Sequence, residues 1–302
     1  MKVSVIIPNY NHASFLSQRL ESIFNQTFQD FEVILLDDCS TDNSCVVLDA
    51  YRSNPHVSHV VYNKTNGGSP FRQWKNGIEL AKGEWVWIAE SDDWAELSFL
   101  QELVDELSKQ SNVVLAFCNS FHDYANKRVK GYPIYDRPTL CNGIGFVRNH
   151  MLYDQAIYNA SSVLFRRDVA ASFPLDYTYY RVAGDKLFWI LTCEQGNVFY
   201  TPQCLNHFRR HDNEVSAKET VSGRVFEEEL RIFQSIKGRK YISIEDRENI
   251  VDYYLSAIQA QYAQDSEEYK TLSTMWLNEK ENKAALFTHK FLKRILHKLK
   301  SI

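Results

Sequence analysis

The chain has 302 residues, of which 44% are hydrophobic and 24% are charged, and its formal net charge is −4. A chain of this length and apolar content can bury a full core, either as one large domain or as a domain with a helical annex. The net negative charge excludes the global basic field that dominates nucleic-acid binding.

The cysteines and the apolar runs bear on metal sites, disulfides and membrane segments. The six cysteines form no CxxC pair and show no regular spacing, which disfavours a zinc site and a disulfide framework and favours reduced thiols in the cytosol. The first apolar run is only a strand's length before Pro8, which disfavours a signal peptide. No stretch of about 18 apolar residues occurs. We therefore expect a cytoplasmic protein whose only membrane contact would be peripheral, on the inner face of the cell membrane.

The N-terminal half alternates between strands and helices. The strand pattern appears in VSVIIP, FEVILLDD, VSHVVYN and EWVWIA, and helical patterns separate these runs. This order predicts an α/β doubly wound unit with a parallel sheet. Ligands of such sheets bind beyond the C-terminal strand ends, where this chain carries PNYN, DDCSTD and ESDD.

The C-terminal part changes character from about Glu219 onward. Glycine becomes scarce, charge rises and helical periodicity dominates. We predict one domain over residues 1–217 and an all-helical extension over residues 218–302. Its last stretch, FTHKFLKRILHKLKSI, sets apolar residues on one helical face among basic ones. Such a helix either binds anionic lipid or docks its apolar face on the rest of the extension.

Three acidic residues follow the fourth strand within four positions, at Glu90, Asp92 and Asp93. They repel one another, so they either face water or surround a positive charge. Carboxylates cannot bind a nucleoside diphosphate directly, but they can do so together with Mg²⁺ or Mn²⁺, because these cations take oxygen ligands from both partners. The alternative is a solvated turn in which Asp93 caps the helix predicted in WAELSFLQELVDEL.

The turn after the first strand, IIPNYNHAS, contains no glycine. A dinucleotide-binding turn requires one, and no GxxxxGK[ST] loop occurs in the chain, so a dehydrogenase and a P-loop enzyme are disfavoured. A nucleotidyltransferase of a related fold would carry a glycine-rich basic loop at the same place. The turn therefore disfavours that class as well.

Five segments carry a family resemblance: VSVIIPNYN, LSQRLESIFNQTFQDFEVILLDDCSTDNS, NGG, NGIELAKGEWVWIAESDDW and GDKLFW. In order and spacing they resemble the inverting family 2 glycosyltransferases with the GT-A fold, over roughly residues 2–215. The resemblance implies that residues 1–217 form a Rossmann-like GT-A catalytic domain, an α/β fold with a mixed, mostly parallel sheet flanked by helices. It also implies a nucleotide-sugar donor (a UDP-sugar above all), Mn²⁺ or Mg²⁺, and a saccharide or lipid-linked saccharide acceptor in cell-surface polysaccharide biosynthesis.

The resemblance assigns the nucleobase pocket by position. Pro8 and Tyr10 would line it, with the Tyr10 ring against the base, and Asp38 would accept a hydrogen bond from a base N–H. The ordinary alternatives are a packed aromatic ring and a helix-capping or turn acid. After NGG the chain departs from the family pattern, because SPFRQWKNG is one residue longer and lacks Ala-Arg-Asn. Either Arg72 or Lys75 would supply positive charge near the donor.

The family's Asp-any-Asp signature falls on residues 90–92. Its last acid is implied as the metal ligand, so Asp92 is the predicted ligand, with Asp93 beside it in support. The first position holds Glu90 instead of the commoner aspartate. Its contact, to ribose or through water to the metal, stays open.

The remaining chemistry is assigned to two later segments. Asp185 of VAGDKLFW is implied as the general base, against the alternative of a plain helix N-cap. In HFRRHDNEVS, His211 would bind metal or diphosphate and Arg209 or Arg210 would clamp phosphate oxygens, against the alternative of a solvated basic loop. His12 is interpreted as a polar residue flanking a helix.

A different class of function remains open beside this one. A non-catalytic nucleotide-sugar-binding or scaffold protein of the same fold would bind donor independently of Asp185 and transfer nothing. The presence of acids at both the metal and the base positions disfavours it.

Overall fold

The computed structural model describes residues 2–211 and 222–280. The domain boundary predicted at residues 217–218 falls between these stretches and stays a prediction. The basic amphipathic tail of the prediction, residues 288–302, lies outside the described residues. Within the described part of the chain, no helix is long and apolar enough to cross a membrane.

The chain divides into two compact units. The described residues of the first unit are 2–151 and 155–211. Those of the second unit are Leu152–Asp154 and 222–280. The first unit contains a ten-stranded mixed sheet. Its strands are β1 (Val3–Asn9), β2 (Phe31–Asp37), β3 (Val57–Tyr62), β4 (Trp85–Ile88), β5 (Trp94–Ala95), β6 (Val113–Tyr124), β7 (Lys127–Lys130), β8 (Thr139–Asn142), β9 (Val163–Arg166) and β10 (Asn197–Arg209).

The strands follow the order β3-β2-β1-β4-β9-β6-β10-β5, with β7 beside β6 and β8 beside β10. The first four strands run parallel, β9 is antiparallel to both β4 and β6, and β10 runs parallel to β6. The predicted mixed sheet with parallel N-terminal strands is therefore confirmed.

Helices cover both faces of this sheet. They are α1 (Ala13–Phe24), α2 (Ser44–Ala50), α3 (Pro70–Leu80), α4 (Phe99–Lys109), α5 (Gly143–His150), α6 (Arg167–Ala170) and α7 (Gly184–Cys193). Neighbouring side chains of β1 face opposite sides of the sheet. Because helices cover both sides, every residue of β1 is buried. Val5 and Ile7 belong to the same core cluster as Leu16 of α1, whereas Ile6 packs against Gly77 of α3.

The described residues of the second unit that follow residue 221 form three helices, as the periodicity predicts: α8 (Arg224–Ile236), α9 (Ile244–Gln261) and α10 (Glu267–Leu277). Its core contains Trp276, which is fully buried and stacks on Tyr254 with ring centroids 4.3 Å apart. A capping box of Ser243 and Asp246 begins α9, so this helix has its first backbone N–H groups satisfied.

Candidate active site

The candidate site lies where the C-terminal ends of β1, β2, β4 and β10 share one edge of the sheet. The parallel pairing of β1 with β2 and β4 brings three of these ends together. Since β10 is parallel to β6, and β9 is antiparallel to both β6 and β4, the end of β10 lies at the same edge. This is the edge at which the sequence predicts a ligand.

The loop after β1 presents Tyr10 to solvent. Asn9 donates to Asp37 over 2.7 Å, and Asn11 accepts a backbone N–H of the β2–α2 loop over 2.7 Å. These two asparagines fix the backbone on either side of Tyr10, whose side chain stays 46% exposed. Pro8 lies buried within β1. A ring so placed is available to a base, and the predicted stacking remains a prediction.

Asp38 anchors the loop between β3 and α3. Its carboxylate accepts hydrogen bonds from Asn63 Nδ2 over 2.7 Å, from the Gly67 N–H over 2.9 Å and from Gln73 Nε2 over 2.8 Å. Only 5% of the residue is exposed. Asp38 therefore holds the glycine turn beside the candidate site, and its additional bond to a base N–H stays a prediction.

The two basic candidates after that turn line one cavity of about 490 Å³, together with Tyr179. Arg72 donates from Nη1 to the Gly67 carbonyl over 2.9 Å, and Lys75 pairs with Glu79 over 2.6 Å. Both cations therefore already have protein partners. Their shared cavity adjoins the turn that Asp38 holds.

A cluster of possible metal ligands joins the ends of β4 and β10 to the start of α1. One ligand atom each of His12, Asp92 and His211 lies within 4.8 Å of the others, and His211 Nε2 lies 3.1 Å from Asp92 Oδ2. His12 also bonds through Nδ1 to Ser91 Oγ over 2.8 Å. One carboxylate and two imidazoles form a donor set that suits a divalent transition metal. The interpretation of His12 as a merely helix-flanking residue is incomplete, because its ring reaches this cluster.

The three acids of this stretch have different environments. Burial opposes ionisation of Asp92, but the hydrogen bond from His211 and the nearby histidine charges outweigh it and hold its pKa below the ordinary value. Burial and the Asp92 charge raise the pKa of Asp93 to about 7 and that of Glu90 to about 8. Glu90 also accepts the Trp74 indole N–H over 2.8 Å. The side chain of Glu90 is thereby oriented by α3.

Asp93 is buried and hydrogen-bonded to other parts of the protein. It is 1% exposed and accepts from Asn159 Nδ2 over 2.9 Å and from the Arg209 N–H over 3.0 Å. The helix-capping alternative for Asp93 is wrong, because β5 follows it and α4 begins only at Phe99, with Ser98 at the N-cap. The support that Asp93 would give to the metal ligand Asp92 stays a prediction.

Arg209 forms hydrogen bonds with the stretch after β4 and with α1. Its Nε donates to the Asp92 carbonyl over 2.7 Å and its Nη2 to Gln18 of α1 over 2.6 Å. The neighbouring Arg210 places its guanidinium 4.9 Å from the Phe208 ring centroid. Arg209 thus ties β10 to β4 and α1, and its predicted clamp on phosphate oxygens would add to these bonds.

A positive charge does lie among the acids, and it comes from Arg19 of α1. The residue is fully buried. Burial lowers its pKa to about 10, while the charges of Asp93, Asp92 and Glu90 act in the opposite direction. Arg19 is therefore charged at neutral pH. The sequence pattern could have indicated it, because residue 19 falls on the apolar stripe of α1.

The candidate base lies in the first turn of α7. Asp185 accepts its successor's N–H through Oδ1 over 2.9 Å and a hydrogen bond from Gln155 through Oδ2. The plain N-cap alternative is wrong, since Ala183 occupies the N-cap position. The helix N-terminus favours the ionised carboxylate, as a general base requires.

Comparisons with known proteins show what this chain is similar to. The glycosyl transferase family 2 model matches residues 4–172. Among curated relatives, the glycosyltransferase GlyG of Streptococcus pneumoniae is 37% identical over 115 residues, which are 37% of this chain and 38% of the relative. The chain spans between 15% and 38% of the length of the first curated relatives that it matches.

Solved structures share the fold at low identity. Residues 1–349 of S. aureus TarS with UDP-GlcNAc give a TM-score of 0.70 at 19% identity, covering 92% of this chain and 79% of that one. The mannosyltransferase PcManGT of Pyrobaculum calidifontis, with GDP-Man and Mn²⁺, gives 0.56 at 16% identity, covering 92% and 84%. The predicted fold class is confirmed.

Proposed function

The chain belongs to glycosyl transferase family 2, and on that premise we propose that it is a metal-dependent inverting glycosyltransferase. It would move a sugar from a nucleoside diphosphate sugar to a hydroxyl of a saccharide or lipid-linked saccharide. The observation that carries the proposal is the convergence of His12, Asp92 and His211 within 4.8 Å. They converge at the sheet edge that also presents the exposed ring of Tyr10.

The three ligand residues fit a divalent cation. Asp92 supplies a carboxylate oxygen and the two histidines supply imidazole nitrogens, which Mn²⁺ accepts more readily than Mg²⁺ does. A cation bound there would stabilise the negative charge of the departing nucleoside diphosphate. Arg209, bonded to the Asp92 carbonyl, brings a fixed positive charge to the same place.

The residues that would bind the donor lie in the loops after β1 and β2. The exposed Tyr10 ring would stack on the base, and Asp38 holds the Gly67 turn beside it. A UDP-sugar is the donor that we propose, supported by the UDP-GlcNAc complex of TarS. The GDP-Man complex of PcManGT shows that the fold also accommodates another base.

The transfer step needs a base for the acceptor. Asp185 would take the proton of the acceptor hydroxyl while that oxygen attacks the anomeric carbon from the face opposite the leaving group. One carbon–oxygen bond forms to the acceptor and one breaks to the diphosphate, so the configuration inverts. A positioned general base contributes about 10²–10⁴-fold in rate.

The biological setting that we propose is cell-surface polysaccharide synthesis at the inner face of the membrane. Support comes from relatives of the chain, among them the poly(ribitol-phosphate) β-N-acetylglucosaminyltransferase TarS and the putative teichuronic acid biosynthesis glycosyltransferase TuaG. The acceptor would then be a growing, lipid-linked glycan.

The experiment is a comparison of Asp185→Asn with the wild type. UDP-sugars and GDP-sugars are screened by thermal shift with Mn²⁺, since a ligand of the folded state raises the apparent stability, and transfer is then measured with the best donor. We expect Asp185→Asn to bind donor as before and to lose at least about a hundredfold in kcat. The exposed Asp176→Asn is the matched control. Undiminished transfer by Asp185→Asn would remove Asp185 from the role.

A further inference from the structure

The carboxylate of Asp185 accepts a hydrogen bond from a side chain thirty residues earlier in the sequence, that of Gln155. Gln155 donates through Nε2 to Asp185 Oδ2 and, through the same amide nitrogen, to the Ile157 carbonyl over 2.9 Å. An amide nitrogen carries two N–H groups. Both are thus engaged, which fixes the orientation of the amide and, through it, that of the carboxylate.

The segment that carries Gln155 is also bonded to the end of β4. Four residues later, Asn159 donates to Asp93 Oδ2 over 2.9 Å, and Asn159 is only 6% exposed. Ser161 accepts the backbone N–H of Glu90 over 3.0 Å. One short segment therefore contacts the candidate base at its start and the metal-binding end of β4 at its finish.

We propose that Gln155 is a positioning residue for the general base: it fixes the Asp185 carboxylate relative to the metal-binding end of β4. The inference rests on the proposed role of Asp185. The anomeric carbon of the donor must lie between the departing diphosphate and the acceptor oxygen. The two protein groups on either side must therefore keep a fixed separation.

An amide suits this task better than a cation would. A lysine or arginine at position 155 would stabilise the ionised carboxylate so strongly that its basicity would fall. The neutral amide of Gln155 restricts the rotation of the Asp185 side chain without adding a charge. Gln155 thus fixes the orientation of the Asp185 carboxylate and leaves it able to accept a proton.

The test is a double-mutant cycle between Gln155→Met and Asp185→Asn in the full chain. Methionine keeps the length of the side chain and removes both N–H donors. The readout is the hydrolysis of a panel of UDP- and GDP-sugars with Mn²⁺, in which water takes the place of the acceptor hydroxyl, as kcat and donor KM separately. Gln195→Met, in the exposed turn after α7, is the matched control.

We expect Gln155→Met to lower kcat by about 10–100-fold, the size of effect that a misplacement of about 1 Å can cause, with donor KM within about twofold. The double variant should be no slower than Asp185→Asn alone, because the effect of Gln155 passes through that carboxylate. Unchanged kcat in Gln155→Met, or losses that multiply in the double variant, would overturn the inference. Full turnover by Asp185→Asn would instead overturn the proposed base.

A second measurement does not depend on turnover. The same cycle is followed by urea unfolding, and a hydrogen bond to a charged group should couple the two residues by about tenfold or more in the unfolding equilibrium constant. Coupling of less than about twofold would contradict the bond from Gln155 on which the inference rests.

Discussion

Arg19 places its guanidinium carbon 4.9 Å from the centroid of the Trp87 ring, next to the strand end that carries Glu90, Asp92 and Asp93. Its three guanidinium nitrogens have no hydrogen-bond partner among the described residues. The charge is therefore compensated by the aromatic face and by the field of the acids. The protein itself thus supplies a cation to an acidic site that is also suited to a metal ion.

Removing this charge should destabilise the metal-free protein. Arg19→Met is expected to lower the free energy of unfolding by about 1 kcal/mol or more, the scale of one pKa unit, because Asp93 and Glu90 lose the nearby charge that favours their ionised forms. Addition of Mn²⁺ should stabilise this variant more than the wild type. Urea unfolding with and without Mn²⁺ measures both effects.

The matched control is Arg52→Met, which removes an exposed ion pair with Asp49. Exposed pairs contribute about 0–1 kcal/mol, so this variant should remain close to the wild type. Equal stability of Arg19→Met and the wild type, together with an equal response to Mn²⁺, would show that Arg19 does not compensate the acids.

His12 should act as a metal ligand. His12→Ala is expected to weaken Mn²⁺ binding by at least about tenfold, which corresponds to about 1.4 kcal/mol, because one imidazole nitrogen of the donor set is lost. Isothermal titration with Mn²⁺ in the presence of UDP gives the affinity. His59→Ala is the control, since among the described residues the His59 ring bonds to the neighbouring Ser58 hydroxyl and lies outside the cluster. An unaltered affinity in His12→Ala would leave Asp92 and His211 as the candidate ligands.

Tyr10 should contribute to binding of the base. Tyr10→Ala is expected to raise the Kd of UDP by about tenfold, since stacking of a base on an aromatic ring is worth about 1–3 kcal/mol. Fluorescence or calorimetric titration measures the change. Tyr132→Ala removes another exposed tyrosine, one that is 86% exposed, and should leave the Kd unchanged. Equal affinities of Tyr10→Ala and the wild type would place the base elsewhere.

Gly77 should be needed for the packing of α3 on β1. A Cβ at this position would lie 2.3 Å from the Ile6 Cγ2 atom, so Gly77→Ala should cost about 1–3 kcal/mol through overpacking. At Gly238 an added Cβ would meet nothing within 4 Å, and Gly238→Ala serves as the control. Urea unfolding of the two variants should separate them clearly. Similar stabilities would contradict the close approach of α3 to β1.

The order of the elements is predictable because its signals are local. Apolar runs and helical spacing appear within each segment, and they indicate the strands and helices of the parallel part of the sheet. The signal that determines where α4 starts is not local. The prediction extended that helix back to Trp94, whereas Trp94 and Ala95 pair with β10 as β5. That pairing joins segments more than one hundred residues apart.

The candidate site is predictable only in part, for the same reason. The family pattern indicates Asp92 and His211, and the structure places them 3.1 Å apart. The pattern gives His12 no such role, because its approach to Asp92 depends on how α1 packs at the sheet edge. The counter-charge was missed although Leu16, Arg19 and Leu20 share the buried stripe of α1, since a charged residue on such a stripe is ordinarily assumed to reach solvent.

The most direct measurement of the central claim is calorimetric titration of UDP into the wild type and into Asp92→Ala, each with and without Mn²⁺. The account predicts that Mn²⁺ strengthens UDP binding to the wild type and that Asp92→Ala loses this strengthening, because Asp92 would hold the cation that offsets the charge of the diphosphate. Metal-stimulated binding of UDP that survives in Asp92→Ala would contradict it.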